Sequence, residues 1–433
     1  MTEFRCQDNF LSLHYFNIIL SLRKGFDLKM KATGIIVEYN PFHNGHLHHL
    51  QQSHQKTNSD VMIAVMSGNF LQRGEPALVD KWTRAKMAIS AGVDLVIELP
   101  YAFATAQASD FAKGSIYLLN ALKCEAFCFG SEEGSLEAFM NTYDLLATHN
   151  TEYNAAISTF MKQGISYPKA LNEAYKAISK ESAMPLVDLS KPNNILGYHY
   201  IEAAQKLHAP IQPETIQRIV ANYHDPVKAT ETIASATGIR KVLFEEQDLT
   251  AVHHFLPKTS LDGLMEWKNT AQAFGSWERF YPLLRFIILR HSKEALGQFA
   301  EVTEGMENAI WNAAISSESF YPFMEKIKSK RFTWTRIQRM LTHIFTEFTW
   351  EQLREAELPT YIRPLGMNKK GQAYLQTIKK DLQLPLISRV AASKENILLQ
   401  LDIKASNLYY LGLQSPFGQR MIGSDFRISP IRM

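Results

Sequence analysis

Two histidines three residues apart, His43 and His46, with Gly45 between them, are the residues of this sequence best placed to do chemistry. They fall between a short apolar run and an amphipathic one, so they should sit where a strand hands over to a helix. A helix N-terminus presents unpaired backbone N–H groups and the positive end of its dipole, which favours phosphate. Gly45 lets the backbone approach such an anion without a side chain in the way. The imidazoles can donate hydrogen bonds to phosphate oxygens as negative charge builds during attack at an α-phosphorus. His43 and His46 are therefore the candidate catalytic pair. A second candidate is cationic. The run Lys326-Ile327-Lys328-Ser329-Lys330-Arg331 is basic, and no acid occurs from Lys326 to His343. Ile337, Met340, Leu341 and Ile344 recur at helical spacing and should face a core, which leaves Arg336, Arg339 and His343 on another face. A one-sided cationic helix is the footprint expected for phosphate backbones. Lys369-Lys370 and Lys379-Lys380 add charge nearby in sequence.

These residues need a scaffold. From Met30 onward, short apolar runs alternate with amphipathic stretches. Residues 34–38, 61–66, 94–99 and 126–129 read as strands. Residues 45–55, 82–91 and 111–122 read as helices, the second closed by Gly92 in the position of a C-terminal cap. Such alternation predicts an α/β fold, a Rossmann-like parallel sheet covered on both faces. Ligands bind beyond the carboxyl ends of the strands in sheets of this kind. Those ends carry the residues from Glu38 to His43, then Ser67-Gly68-Asn69-Phe70, Glu98-Leu99-Pro100 and Gly130-Ser131-Glu132-Glu133. From about Thr151 the chain becomes mainly helical. Residues 195–206 continue the αβ pattern, and 211–219 resume an extended one. Beyond Glu245 no strand alternation is visible until near Leu398. The expected organisation is an α/β catalytic region over 30–245 and a mostly helical region over 246–433.

The 433 residues are 46% hydrophobic and 21% charged, which excludes a disordered or fibrous chain and implies two or three domains. A formal net charge of +3 is too small to mark a general polyanion binder, so any such site must be a local patch. Cys6, Cys124 and Cys128 make neither a disulfide framework nor a paired zinc site. Cys124 and Cys128 stand in an apolar run and read as buried thiols in a reducing, cytoplasmic compartment. No residue set reads as a dedicated metal cage. Residues 10–22 are apolar but about seven short of the roughly 20 that span a bilayer, and no cleavage site follows them. Met30 leads at once into the first strand, so residues 1–29 read as an extension with no role in the fold.

With strand, H-x-G-H turn and helix in this order, the chain resembles the H-x-G-H nucleotidyltransferase superfamily, whose members activate carboxylates or phosphates with ATP. That resemblance implies a second element, a hydroxyl-bearing turn and an arginine that together hold the triphosphate. Ser235-Ala236-Thr237-Gly238-Ile239-Arg240 matches it, with Ala236 as a departure. An arginine there supplies a planar fork of donors for phosphate oxygens. Longer runs narrow the match: GIIVEYNPFHNGH from Gly34 to His46, MSGNFLQRGEPA from Met66 to Ala77, SKPNNILG from Ser190 to Gly197 and KRFTWTR from Lys330 to Arg336. These resemble the bacterial tRNA(Met) cytidine acetate ligase family. The resemblance implies a ligase that joins acetate and ATP into acetyl-adenylate and passes the acetyl group to the wobble cytidine of elongator tRNA(Met), giving N4-acetylcytidine. It implies ATP contacts from Val37, Glu38, Tyr39, Asn40, Pro41, Phe42, His43, Asn44, Gly45, His46 and Leu47, from Gly130, from Asn194 or Asn193, and from Arg218 and Ile219. Ser235, Thr237 and Arg240 join them through the second element. Mg2+ is expected with the phosphates. The implied partners are tRNA and acetate, with no membrane and no protein partner. The basic set Arg73, Lys328, Lys330, Arg331, Arg336 and Arg339 is the expected tRNA contact.

Each of these residues also has a purely structural explanation. His48 and His49 read as helix surface. Asn193 and Asn194 could cap a helix beginning at Ile195. Arg73, Lys81 and Arg84 read as a solvated basic face, from which Arg73 can reach phosphate or tRNA. Glu38 could be a buried, paired carboxylate, and Trp334 reads as core rather than as a stacking platform. Two other functions compete. A small-molecule adenylyltransferase explains H-x-G-H but leaves the basic helical half without a task. A non-catalytic RNA-binding protein explains the basic helix but not the two phosphate elements.

Overall fold

A computed structural model of the chain describes residues 30–180, 182–218, 233–246, 248–393 and 395–433. The expected extension over 1–29 and the expected ATP contact Ile219 lie outside the described residues. The apolar runs form strands β1 (Ala32–Val37), β2 (Val61–Ser67), β3 (Leu95–Leu99) and β4 (Ala126–Ser131). Every residue of β2 and β3 is buried, as a parallel sheet covered on both faces requires. Between them run helices α1 (Asn44–Thr57), α2 (Lys81–Ser90) and α3 (Ala108–Ala121). A helical hairpin, α4 (Asn150–Lys162) and α5 (Tyr167–Ser179), and then α6 (Pro192–Lys206) lead to β5 (Gln212–Gln217). In the second half, α7 (Ala236–Glu246), α8 (Trp334–Thr346) and α9 (Ile397–Gly412) are the helices that bear on the site.

The sheet runs β5-β4-β1-β2-β3 and is parallel throughout that stretch. The chain moves outward from β1 first to β2 and β3, then back to β4 and β5. The carboxyl ends of β1 and β4 therefore part company at a topological switch point, where such folds open their crevice. The strands and helices expected from the sequence up to residue 217 are present, with ends shifted by a few residues.

The second half departs from expectation in one respect. It contributes two strands, β6 (Pro364–Met367), antiparallel to β3, and β7 (Ile431–Arg432), which complete the order β3-β6-β7. Four residues carry no legible alternation; they become a strand because the edge of β3 presents unpaired backbone groups. The segment around Leu398 is the helix α9. One hydrophobic cluster runs through both halves, from Ile35 and Val65 to Leu341 and Tyr409.

A buried ionic cluster lies at this junction, and it corrects the reading of Lys81 and Arg84 as a solvated face. Both are fully buried. Lys81 Nζ lies 2.7 Å from Glu98 and 2.8 Å from Asp425, while Arg363 reaches the same two carboxylates at 3.0 and 2.5 Å. Arg84 donates to the carbonyls of Glu38 (2.7 Å), Ser67 (3.0 Å), Val79 (3.1 Å) and Gly68, so its guanidinium ties together the carboxyl ends of β1 and β2. A buried charge is tolerable only with such a full set of partners. Cys124 and Cys128 are buried free thiols, and burial pushes Cys128 up to about 11. Among the described residues, no helix is long and apolar enough to cross a membrane.

Candidate active site

Beyond the ends of β1 and β4 opens a cleft of about 1440 Å³. Its floor includes Val37, Glu38, His43, Gly45, His46, His49, Gly130 and Arg218. His43 is the N-cap of α1 and His46 its third residue, and the two close a reciprocal capping box. Gly45 N donates to His43 Nδ1 at 3.0 Å, and His43 N donates to His46 Nδ1 at 3.3 Å. A ring nitrogen that accepts a hydrogen bond carries no proton, so each neutral imidazole keeps its proton on Nε2. Burial, followed by the charges of Arg218 and Arg240, holds His43 down to about 3. Burial and the neighbours His43, Arg218 and His49 hold His46 well below the usual imidazole range, against a hydrogen bond with the Pro41 backbone. The rings stack with centroids 3.8 Å apart, a contact that two imidazolium ions would oppose. The pair thus stays neutral and pre-oriented, with the one proton of His46 shared with the Pro41 carbonyl.

This geometry changes the reason for Gly45. A Cβ there would lie 2.8 Å from His43 Cε1. The glycine makes room for the His43 ring to fold back on its own helix, and that ring occupies the Gly45 amide expected to meet phosphate. Positive charge in the floor comes instead from Arg218, just past β5, which lowers His43, His46 and His49 alike. His49 is not surface. Burial, with Arg218 and His48, brings it down to about 4, and its Nε2 is buried without a partner among the described residues. Glu38 faces the same floor, with Oε1 accepting from Gln72 N at 2.7 Å; burial raises it, while that bond and Arg73 oppose the rise.

The remaining expected ATP residues divide. Asn193 lines the cleft, and its Nδ2 donates to Glu132 at 2.6 Å. Asn194 is buried and clamps the loop after β4: its Oδ1 accepts from Glu132 N and Glu133 N, and its Nδ2 donates to the Asp188 carbonyl. Neither caps α6, which begins earlier, at Pro192. Tyr39, Asn40, Pro41 and Phe42 are buried beneath the floor, Leu47 packs on the core, and Asn44 Nδ2 donates to the His254 carbonyl. These residues build the turn rather than face the cleft. In the second phosphate element, Ser235 and Ala236 line the cleft, and Ser235 Oγ accepts from Gly238 N as α7 begins. The fork of Arg240 is already occupied by the Asn40 carbonyl and Glu75, both at 2.9 Å, and it lies 3.5 Å from Thr237 Oγ1. Arg240 therefore braces the H-x-G-H turn from behind.

The α8 end of the basic segment, though some 290 residues away in sequence from the histidines, forms another wall, whereas Lys328, Lys330 and Arg331 lie outside the lining. Thr333, Thr335, Arg336, Arg339 and His343 line the same cleft, together with Arg73 and Glu301. The core positions expected in α8, Ile337, Met340, Leu341 and Ile344, are all buried. The cationic face needs correction. His343 is buried, with Nδ1 3.0 Å from the Tyr101 hydroxyl. Arg339 forms a two-pronged pair with Glu301 at 2.8 Å on each prong, and Arg331 lies 2.7 Å from Glu304. Burial opposes ionisation of Glu301, but Arg339 and His343 hold it down to about 2. The acids come from residues 301 and 304, outside the acid-free run, so sequence proximity could not reveal the pairing. Gly74, at φ +70, brings the loop after β2 against α8: a Cβ there would lie 2.3 Å from Arg339 N. Sequence reading also missed Gln72, the stretch from Thr105 to Phe111, and a His199–Glu202 pair at 2.9 Å on α6, all of which line the cleft. None belongs to a spaced pattern.

A switch-point cleft with an H-x-G-H capping box at its floor defines a nucleotidyltransferase, and residues 30–422 match the HIGH Nucleotidyl Transferase family. A relative from Lysinibacillus sphaericus, named tRNA(Met) cytidine acetate ligase, is 56% identical over 403 residues, covering 93% of this chain and all of its own. One of the same name from Bacillus subtilis is 45% identical over 412 residues, covering 93% of this chain and 97% of its own. The crystal structure of Thermotoga maritima TmcAL bound with alpha-thio ATP superposes with a TM-score of 0.85 at 33% identity, covering 93% of this chain and all of that one. The chain belongs to the tRNA(Met) cytidine acetate ligase family.

Proposed function

We propose that this enzyme uses ATP and acetate to convert the wobble cytidine of elongator tRNA(Met) to N4-acetylcytidine. The observation that carries the reading is a single cleft with a neutral, donor-bearing histidine pair and Arg218 on its floor and the Arg336 end of α8 on another wall. In the first step an acetate oxygen attacks the α-phosphorus and pyrophosphate leaves. The Nε2–H groups of His43 and His46 stabilise the charge on the α-phosphoryl oxygens, as fixed donors aimed at developing charge do. Because the rings stay neutral they donate without transferring a proton. In the second step the cytidine N4 attacks the acetyl carbonyl, AMP leaves, and the amine loses one proton. A base splayed from an anticodon loop is accessible to such a wall.

The region over 30–245 serves the nucleotide and the region over 246–433 serves the tRNA. Gly130, Asn193, Arg218 and Ser235 complete the ATP site; Arg73, Lys328, Lys330 and Arg336 bear on the RNA. Mg2+ would accompany the phosphates and neutralise the leaving pyrophosphate, and no step is assigned to it; among the described residues no group of three His, Cys, Asp or Glu side chains is placed to hold an ion. The enzyme works in the cytoplasm, without membrane or protein partners.

Isotope exchange between pyrophosphate and ATP tests the reading. Exchange should require acetate and not tRNA, and labelled acetate should then pass to tRNA(Met). Exchange driven by another acid, with no label in tRNA, would make this a small-molecule adenylyltransferase. Binding of tRNA without any exchange would make it a non-catalytic RNA binder.

A further inference from the structure

We propose that Tyr321, backed by Trp334 at the start of α8, is a stacking platform for unpaired bases of the substrate RNA; this rests on the tRNA reading above. The helix Phe320–Ile327 is amphipathic, and its buried face is filled by Phe320, Phe323, Met324 and Ile327. Tyr321 points the other way and is 63% exposed, a large flat ring with no place in the core. Its ring lies 5.7 Å from that of Trp334 at a tilt of 42°, so the exposed tyrosine is steadied by a second aromatic. Trp334 is half-buried, which qualifies its expected place in the core.

The surroundings say what would cover this ring. Lys328 Nζ sits 5.9 Å from the Trp334 ring centroid, and Lys330 and Arg336 belong to the same segment. Lys328 and Lys330 form no ion pair with a described residue, in contrast to Arg331 and Arg339, while Arg336 lies over the Phe332 ring and feels the charges of Glu301 and Glu304. The charge of the two lysines therefore stays available to an anionic partner. Trp334 opens the helix whose neighbouring residues Thr333, Thr335 and Arg336 line the cleft, while its own ring faces Tyr321 outside that lining. Aromatic faces for bases set among unpaired cations for phosphates are the combination that holds single-stranded RNA. A protein partner would be served by the ring but not by the uncompensated charge.

The test compares Tyr321→Ala with Tyr321→Phe, using tRNA(Met) binding across a salt series. Loss of one stacked base costs about 1–3 kcal/mol, so Tyr321→Ala should weaken binding roughly 5- to 150-fold. The slope of log affinity against log salt should not change, because no phosphate contact is lost. Tyr321→Phe keeps the ring and should bind like the parent. Lys328→Ala should instead flatten the slope by about 0.7. Acetate-dependent pyrophosphate exchange and the thermal midpoint should be unaffected in both Tyr321 variants, which separates stacking from misfolding. Parent-like affinity in Tyr321→Ala, a flattened slope in that variant, or equal weakening by Tyr321→Phe would each overturn the platform while leaving the tRNA reading intact. Failure of the parent enzyme to bind tRNA(Met) would overturn both.

Discussion

The neutral state of the histidine floor can be read directly from acid stability. His43 is 5% exposed and held down to about 3, whereas an unfolded histidine titrates near 6.5. Between these values the unfolded chain binds a proton that the folded chain refuses, so stability rises with pH and is lost as pH falls below 6.5. At pH 5 the loss attributable to His43 is about 1.36 × 1.5, or roughly 2 kcal/mol, and it continues to grow toward pH 3. His43→Asn isolates this effect. Asparagine is a favoured N-cap whose carbonyl can accept from Gly45 N as Nδ1 does now, so stability at pH 7 should change by less than about 1 kcal/mol. Urea unfolding of both proteins at pH 7 and pH 5 gives two drops in stability. His49 titrates in both, so the difference between the drops belongs to position 43 together with its effect on His46 and should be at least about 2 kcal/mol, the drop being smaller in the variant. Equal drops would mean that His43 is free to take a proton in the folded state, and the assignment of its proton to Nε2 alone would fail. In the parent, adenylation should pass through pH 6.5 without an inflection from this pair.

Three further outcomes follow from the same geometry. His46→Ala removes a donor used chiefly in the transition state, so acetate-dependent exchange should fall by about 10²–10³ while ATP affinity changes far less; unchanged exchange would remove His46 from the mechanism. Lys81→Met leaves Glu98 and Asp425 sharing only Arg363 in a buried site, which should cost about 3–5 kcal/mol by urea unfolding, and a parent-like midpoint would show that the cluster is dispensable. Arg336→Ala should weaken tRNA binding and flatten its salt dependence at unchanged stability, whereas Arg339→Ala strands Glu301 and should lower stability first; the reverse pattern would exchange their roles.

How far the sequence could be read depended on whether a group's partners were close in the chain. The histidine pair was legible because strand, turn and helix are consecutive, and its capping box closes within four residues. Arg240 was read from the sequence as a phosphate ligand and not as a brace, because its partners, Asn40 and Glu75, come from distant loops. The cations from Lys328 to Arg339 were legible as a basic segment, but the pairing of Arg331 and Arg339 required Glu304 and Glu301. His49 looked like surface because one helical turn cannot show that Arg218 and Gly130 will close over it.

By itself the sequence determined the parallel α/β pattern, the place of the H-x-G-H turn at a strand end and the apolar stripe of α8. Apolar spacing and capping are local properties, and burial of those stripes leaves little choice of element. Tertiary structure alone decided the protonation of the histidines, the burial of Lys81 and Arg84, the strand at Pro364–Met367 and the meeting of α8 with the histidine floor. Charge state depends on desolvation and on charges brought in from elsewhere, and a short edge strand exists only where another edge waits for it. Those are properties of three-dimensional neighbours, set only when the chain has closed on itself.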